Sequence, residues 1–325
     1  METKETSIEV INLTKEYGKS KAINKLNFNI SSGEIIGFLG PNGAGKTTTM
    51  RILAGLVPAT SGIARIHGIS VSRSPQAIKK ILSFMPENNP LPEDVRVHEY
   101  LRHRAALKGI SGKELKTQIE HVVETCELTR TAENKLIGKL SKGYRQRVGI
   151  ADSLLGHPKV IIMDEPTIGL DPHQILSFRK LIESLKNKMT VVISSHILPE
   201  IEACCDRIII INKGHIVAQG SSKELRSTFI PEYTYDISIK APEKKFTKIL
   251  SDLDPDHELL WIHSDDDDFI SFRFKTKKSP EFGEELTQAI QSEPHWKLRQ
   301  IHRMNPSLEE IFIRATRQNW KTPTV

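Results

Sequence analysis

Cysteine is scarce in this 325-residue chain: only Cys126, Cys204 and Cys205 occur. Three thiols with no C-x-x-C pair supply no disulfide framework, and Cys204-Cys205 has no His or Cys partner at metal-ligand spacing. They are expected as reduced thiols packed on helices. Long apolar runs are missing too. No stretch approaches the ~18 residues a membrane span requires, and the polar start Met1-Glu2-Thr3-Lys4-Glu5-Thr6 does not read as a secretory signal. The expectation is a chain that stays in the cytosol and does not cross a bilayer unaided. Sustained heptads, the mark of a long coiled coil, are also absent. The formal charge of +6 is not concentrated. Lys and Arg are scattered, as on a solvated surface, so no nucleic acid is expected as a partner.

What is present is ordinary in bulk. Hydrophobic content of 38% and charged content of 26% suit a globular protein, and the length suggests two domains, each able to bury its own core.

The informative stretch is Gly40-Pro41-Asn42-Gly43-Ala44-Gly45-Lys46-Thr47-Thr48, which fits G-x-x-x-x-G-K-S/T. The apolar run Ile35-Ile36-Gly37-Phe38-Leu39 before it reads as a buried strand, and Thr49-Met50-Arg51-Ile52-Leu53-Ala54 after it as a helix. An accidental Gly-rich turn lacks that strand–loop–helix context. Glycines let successive N–H groups converge on phosphate oxygens, and the helix N-terminus adds about half a positive charge. Lys46 supplies a point charge for the β/γ-phosphates, and the Thr47 hydroxyl suits Mg²⁺. The pattern implies binding of a nucleoside triphosphate.

Further strands are expected at Ile8–Leu13, around Leu26, Phe28 and Ile30, at Lys159–Met163 and at Thr190–Ser194. Helical spacing runs from about Val97 to Cys126, and again from Gln174 to Lys186. Alternating strands and helices around a phosphate loop imply a largely parallel α/β core. Asp164 and Glu165 close the Lys159–Met163 strand, at the sheet edge where nucleotides bind. Asp164 is placed to hold Mg²⁺ through water, and Glu165 to polarise an attacking water.

Composition shifts near Thr228-Phe229-Ile230-Pro231. Beyond it the reading is strand (233–239), helix (243–253), strand (258–263), strand (269–276), helix (280–292), strand (296–303). That β-α-β-β-α-β order is the split-βαβ, ferredoxin-like arrangement. A final helix opens at the capping box Ser307-Leu308-Glu309-Glu310. Asp265-Asp266-Asp267-Asp268 falls in the expected hairpin turn. Without interleaved Gly or a terminal Glu it reads as a solvated loop rather than a calcium site.

Leu140-Ser141-Lys142-Gly143-Tyr144-Arg145-Gln146-Arg147 precedes Asp164 by about two dozen residues, a spacing that matters together with the other motifs. With these residues in order, the chain resembles an ATP-binding subunit of an ABC transporter over roughly residues 6 to 225. Gly40–Thr48 matches the Walker A loop, Leu140–Gln146 the signature and Val160–Glu165 the Walker B strand. Gly169-Leu170-Asp171 matches the D-loop and Ser194-Ser195-His196 the H-switch. The fold so implied is α/β: a P-loop NTPase (ABC ATPase) domain at 6–228 with a helical subdomain at about 90–155, followed by a small C-terminal α+β domain at 229–325.

The resemblance implies that two copies face head to tail, each ATP lying between one phosphate loop and the other copy's signature. It implies roles for Ser141, Gly143, Gln146 and Asp171 in ATP binding, and for Lys46, Glu165 and His196 in hydrolysis. Tyr17 would stack on adenine, a contact of roughly 1–3 kcal/mol. The Mg²⁺ set is Thr47, Asp164 and Glu87, where Glu87 stands in place of the family's usual glutamine. Glu87-Asn88-Asn89-Pro90-Leu91-Pro92 resembles exporter ATPases, including gliding-motility-type ones, and the C-terminal segment resembles the appendage many of those carry. Implied partners are ATP, a second copy and a separate membrane permease, which places the chain at the cytoplasmic face of the membrane. A soluble ABC protein acting on the ribosome or nucleic acid is the alternative reading. One motif set and about 55 residues between Glu87 and the signature, too few for a long coiled coil, weigh against it.

Overall fold

Runs of branched apolar side chains build the centre of the first half. In the computed structural model, which describes residues 5–128, 134–230, 232–264, 268–279, 281–304 and 307–317, β3 (Ile35–Leu39), β7 (Val160–Asp164) and β8 (Thr190–Ser195) are buried at every position. Such strands have neighbours on both faces, the usual condition of a parallel sheet. With β6 (Leu82–Met85), β9 (Arg207–Asn212) and β10 (His215–Gly220) they form a six-stranded sheet in the order β10-β9-β3-β8-β7-β6. All neighbours are parallel except β10, which pairs antiparallel with β9 at the edge. The C-terminal ends of β3, β7 and β8 therefore emerge together, and the loops that leave them meet.

A second sheet is antiparallel, where the sequence pattern suggested only a mainly parallel core. It consists of β1 (Thr6–Tyr17), β2 (Ser20–Ser31), β4 (Ser61–Ile66) and β5 (Ile69–Ser70) in the order β2-β1-β4-β5. Its inward residues Ile8, Val10, Phe28 and Ile66 share one hydrophobic cluster with Phe38, Ile162 and Ile209 of the first sheet. Met50 and Leu53 of α1 (Lys46–Leu53) complete it. Phe28 and Phe38 meet edge to face with centroids 5.5 Å apart, a favoured aromatic geometry.

Helical spacing from Val97 to Cys126 resolves into two helices. After α2 (Pro75–Ile81) come α3 (Val97–Leu107) and α4 (Gly112–Thr125), broken at Gly109, whose φ of 82° lies in the left-handed region. Then follow α5 (Lys142–Leu154), α6 (Pro172–Leu185) and α7 (Leu198–Cys204). Asp152 clamps α3 onto α5: Arg104 Nε donates to both of its oxygens at 3.0 Å, and Tyr100 Oη to Oδ2 at 3.2 Å. Lys108 Nζ adds bonds to the Asp152 and Leu155 carbonyls. Cys126 is buried, and Cys204 and Cys205 are partly buried. Burial pushes Cys126 up to about 12 and Cys204 up to about 11, so neither is a thiolate at neutral pH.

The chain divides into two compact units between Ser222 and Lys223, not at 228/229. The helix before the expected boundary, α8 (Ser222–Phe229), lies almost wholly in the second unit, where Arg314 donates to the Phe229 carbonyl. That unit runs β11 (Tyr233–Lys240), α9 (Glu243–Leu253), β12 (Glu258–Ser264), β13 (Ile270–Thr276), α10 (Phe282–Gln291), β14 (Lys297–Met304) and α11 (Leu308–Arg317). Its sheet is antiparallel throughout, in the order β12-β13-β11-β14. Tyr235, Phe246, Phe272, Phe274 and Phe282 make an aromatic core of its own, with Trp296 packed at its margin, while Trp261 lies exposed beside Arg273. Asp265, Asp266 and Asp267 lie outside the described residues, as do Pro231 and Pro280; Asp268 pairs with Lys240 at 2.7 Å.

Replacing Asp152 with Ala removes the clamp between α3 and α5. Arg104 is partly solvated, so the expected loss of stability is about 2 kcal/mol, measured by urea unfolding, with Tyr100→Phe costing less.

Candidate functional site

The phosphate loop leaves β3 at Gly40 and enters α1 at Lys46. Two of its glycines are required by geometry. A Cβ on Gly40 would lie 2.3 Å from the Ile211 carbonyl oxygen, and Gly45 has φ of 111° with a Cβ position 2.7 Å from the Ala22 carbonyl oxygen. Backbone alone fits there, which leaves the loop's N–H groups to form a cradle at a helix N-terminus. Lys46 Nζ points along that cradle and donates to the Gly40 carbonyl at 2.7 Å.

Opposite it stands Glu165, one residue past β7. Lys46 Nζ and Glu165 Oε1 are 3.3 Å apart, each side chain 6% exposed. Glu165 Oε2 meets His196 Nδ1 at 2.9 Å and accepts a longer bond from the His196 N–H at 3.3 Å. An ionised carboxylate only accepts, so Nδ1 carries the proton and Nε2 is the ring nitrogen left for another partner.

Glu165 has φ of 50°, an uncommon conformation for a residue with a side chain. Ser194 on β8 fixes it. The Glu165 N–H donates to the Ser194 carbonyl at 3.1 Å and to its hydroxyl oxygen at 2.9 Å, while that hydroxyl donates to Asp164 Oδ1 at 2.5 Å. One buried hydroxyl thus orients both carboxylate residues. Sequence reading had Ser194 only as part of a motif; a hydroxyl inside the otherwise β-branched strand Thr190-Val191-Val192-Ile193 was the available signal.

A cavity of about 440 Å³ opens over this arrangement. The loop from Pro41 to Thr48 lines it, together with Tyr17, Glu87, Glu165 and His196. Tyr17 is half exposed, with the Lys15 ammonium 4.9 Å from its ring centroid. Asp164 is buried behind the wall. Among the described residues no three His, Cys, Asp or Glu side chains cluster as a metal cage. Of the three residues expected to hold Mg²⁺, Thr47 and Glu87 line the cavity, whereas Asp164 does not and is bonded to the Ser194 hydroxyl.

Four expected nucleotide-binding residues are not brought to this cavity. Ser141 caps α5, accepting from the Tyr144 N–H at 3.4 Å. Gly143 and Gln146 face a separate cleft between α5 and α6. Gln146 Nε2 donates to the Pro166 carbonyl at 2.5 Å, and Asp171 caps α6 through a reciprocal pair with Gln174.

Comparison with known proteins identifies the family. The family described as ABC transporter matches residues 23–168. The bacitracin transport ATP-binding protein BcrA of Bacillus licheniformis is 41% identical over 216 residues, which are 66% of this chain and 69% of BcrA. The chain belongs to the ABC transporter ATP-binding proteins. The linearmycin resistance ATP-binding protein LnrL of Bacillus subtilis is 29% identical across 95% of this chain and 98% of its own length. Some relatives of this ABC protein are far longer: it spans a quarter of ABC transporter A family member 1 of Dictyostelium discoideum, at 36% identity. Among solved structures, the dimeric cassette MJ0796 in a post-hydrolysis state with ADP and Pi has a TM-score of 0.60 at 26% identity. It covers 66% of this chain and 98% of its own. No helix among the described residues is long and apolar enough to cross a membrane.

Ser194→Ala should slow ATP turnover about tenfold, the effect of losing hydrogen bonds to a carboxylate and to the Glu165 backbone, while Ser194→Thr retains most of it. Steady-state phosphate release checks this.

Proposed function

We propose that this chain is the ATP-hydrolysing subunit of an ABC transporter, working as a pair of identical copies on a separate membrane permease. One observation supports pairing above others. The cavity gathers the phosphate loop, Glu165, His196, Glu87 and Tyr17, whereas Ser141 and Gly143 of the same chain face elsewhere. A second copy placed head to tail brings its Ser141 and the start of its α5 to the first copy's cavity. A helix N-terminus there favours phosphate.

Each residue then has a task. The loop N–H groups and Lys46 bind and neutralise the β/γ-phosphates, and Tyr17 offers its ring to adenine. Thr47, Asp164 and Glu87 would hold Mg²⁺, which would supply positive charge to offset that of the phosphates. Glu87 contributes a full negative charge where the family's usual glutamine is neutral, which strengthens attraction for the cation. Glu165 accepts the proton of the attacking water. His196 keeps that carboxylate in place through Nδ1 and presents Nε2 to the same region. Lys46, 3.3 Å from Glu165 before phosphate draws it away, keeps the carboxylate from standing as an unpaired buried charge.

The subunit sits by this reading at the cytoplasmic face of the membrane, bound through its permease, and export is the direction we infer. Relatives named for bacitracin transport and linearmycin resistance support that direction. So does the resemblance of Glu87–Pro92 to exporter ATPases of the gliding-motility type. The second unit's β-α-β-β-α-β element order supports reading it as a ferredoxin-like domain, and we infer that it is the appendage such ATPases carry.

Glu165→Gln should lower turnover at least ~10²-fold with ATP binding intact, as expected for loss of a general base; unchanged phosphate release removes Glu165 from that role. Mixing Lys46→Ala chains with Ser141→Arg chains, each inactive alone, should restore one composite site per heterodimer. Absence of recovery at every mixing ratio, with both chains folded, overturns the shared site.

A further inference from the structure

Between Glu165 and Asp171 the chain makes a short turn anchored from several distant parts of the sequence. Glu165 is held by Ser194 and His196, the Pro166 carbonyl by Gln146 of α5, and Asp171 by Gln174 of α6. Ile168 and Leu170 close the turn on the carbonyls of Glu165 and Thr167. The middle anchor lies outside the sequence motifs: the Thr167 hydroxyl donates to Glu200 Oε2. Both residues are buried, at 3% and 6% exposure, so this is a carboxylate withdrawn from water and satisfied across the turn.

Glu200 lies in the first turn of α7, four residues after His196. The intervening backbone is itself braced, since the Ile197 N–H donates to Ser195 Oγ at 2.9 Å. Arg179 of α6 donates to the Pro199 carbonyl at 3.3 Å. A shift of His196 therefore carries Glu200 with it, and the Thr167 hydroxyl moves or loses its acceptor.

We propose that Glu200 is a positioning residue, coupling the His196 segment through Thr167 to the turn that meets the signature helix at Pro166 and starts α6. Resting on the ATPase reading above, this makes the turn the path by which the state of His196 in one site reaches Gln146 and Asp171. Those residues border the surface expected to face the other copy. The coupling element is a single hydrogen bond between two rigid segments, small enough to be remade in each cycle.

The test uses the full chain. Thr167→Val leaves Glu200 buried without a donor and is expected to destabilise the protein, so it is paired with Thr167→Val/Glu200→Met. Replacing both partners by apolar groups of similar shape keeps stability close to the original while removing the tie. Two readouts are taken: hydrogen–deuterium exchange of residues 165–171, and kcat with KM for ATP. In the double variant, exchange of the turn should rise about tenfold and kcat fall about tenfold, KM staying within about threefold, as for one lost bond to a charged group. Thr167→Ser, which keeps the hydroxyl, should match the original chain in both. A stable double variant with unchanged exchange or unchanged kcat overturns the proposal, as does a Thr167→Ser variant as slow as the double variant. Should the original chain bind ATP but never release phosphate, while exchange responds as described, the ATPase reading fails and the tie stands.

Discussion

A buried pair of opposite charges governs the nucleotide-binding unit. Lys46 and Glu165 stand 3.3 Å apart, shielded from water, and neither is tolerable there without the other or a phosphate. To bring them together the chain aligns β3 beside β8 and β8 beside β7, so that loops from distant parts of the sequence leave the same sheet edge. The register Asp164–Ser194 across β7 and β8 then places the hydroxyl where it braces Glu165 in its left-handed backbone conformation. A non-glycine residue in that region costs of order 1–3 kcal/mol, which the surrounding hydrogen bonds offset. Strand pairing, backbone strain and charge pairing are thus one construction.

Much of this site is legible in the sequence, for a physical reason. A phosphate cradle needs glycine where backbone and side chain compete for space, so Gly40 and Gly45 are written into the sequence. The carboxylates Asp164 and Glu165 follow a run too apolar to be anything but a buried strand. Of the bracing partners, Ser194 shows in the sequence only as a motif hydroxyl in an apolar strand, and Thr167 gives no sign. Ser194 and Thr167 are common residue types whose role exists only because β8 and α7 fold against the turn. The antiparallel sheet was missed for a similar reason. Ser61–Ile66 and Ile69–Ser70 are short and partly exposed, and carry little periodicity of their own. The break between α3 and α4 did have a local sign, Gly109-Ile110-Ser111-Gly112, set within an otherwise continuous helical spacing.

The second unit obeys a different economy of residues. Where the first relies on Ile, Val and Leu between two sheets, the second covers one face of a single sheet with two helices and fills the layer with aromatic rings. Phe246 and Phe272 approach to 4.4 Å between centroids, and Tyr235 stacks on Phe274. Fewer, larger side chains give a small domain enough buried area to fold around its own centre.

That aromatic bias has an optical consequence. All three tryptophans, Trp261, Trp296 and Trp320, lie beyond Ser222 in the sequence; the first two belong to the second unit, and Trp320 lies outside the described residues. Intrinsic fluorescence of this protein is therefore emitted by the C-terminal third of the chain. Trp296 against Phe246 senses the interior of that domain, and Trp261 beside Arg273 senses its solvent boundary. Any change in tryptophan emission on adding nucleotide is then reported by residues outside 1–222, the stretch of chain that holds the phosphate loop.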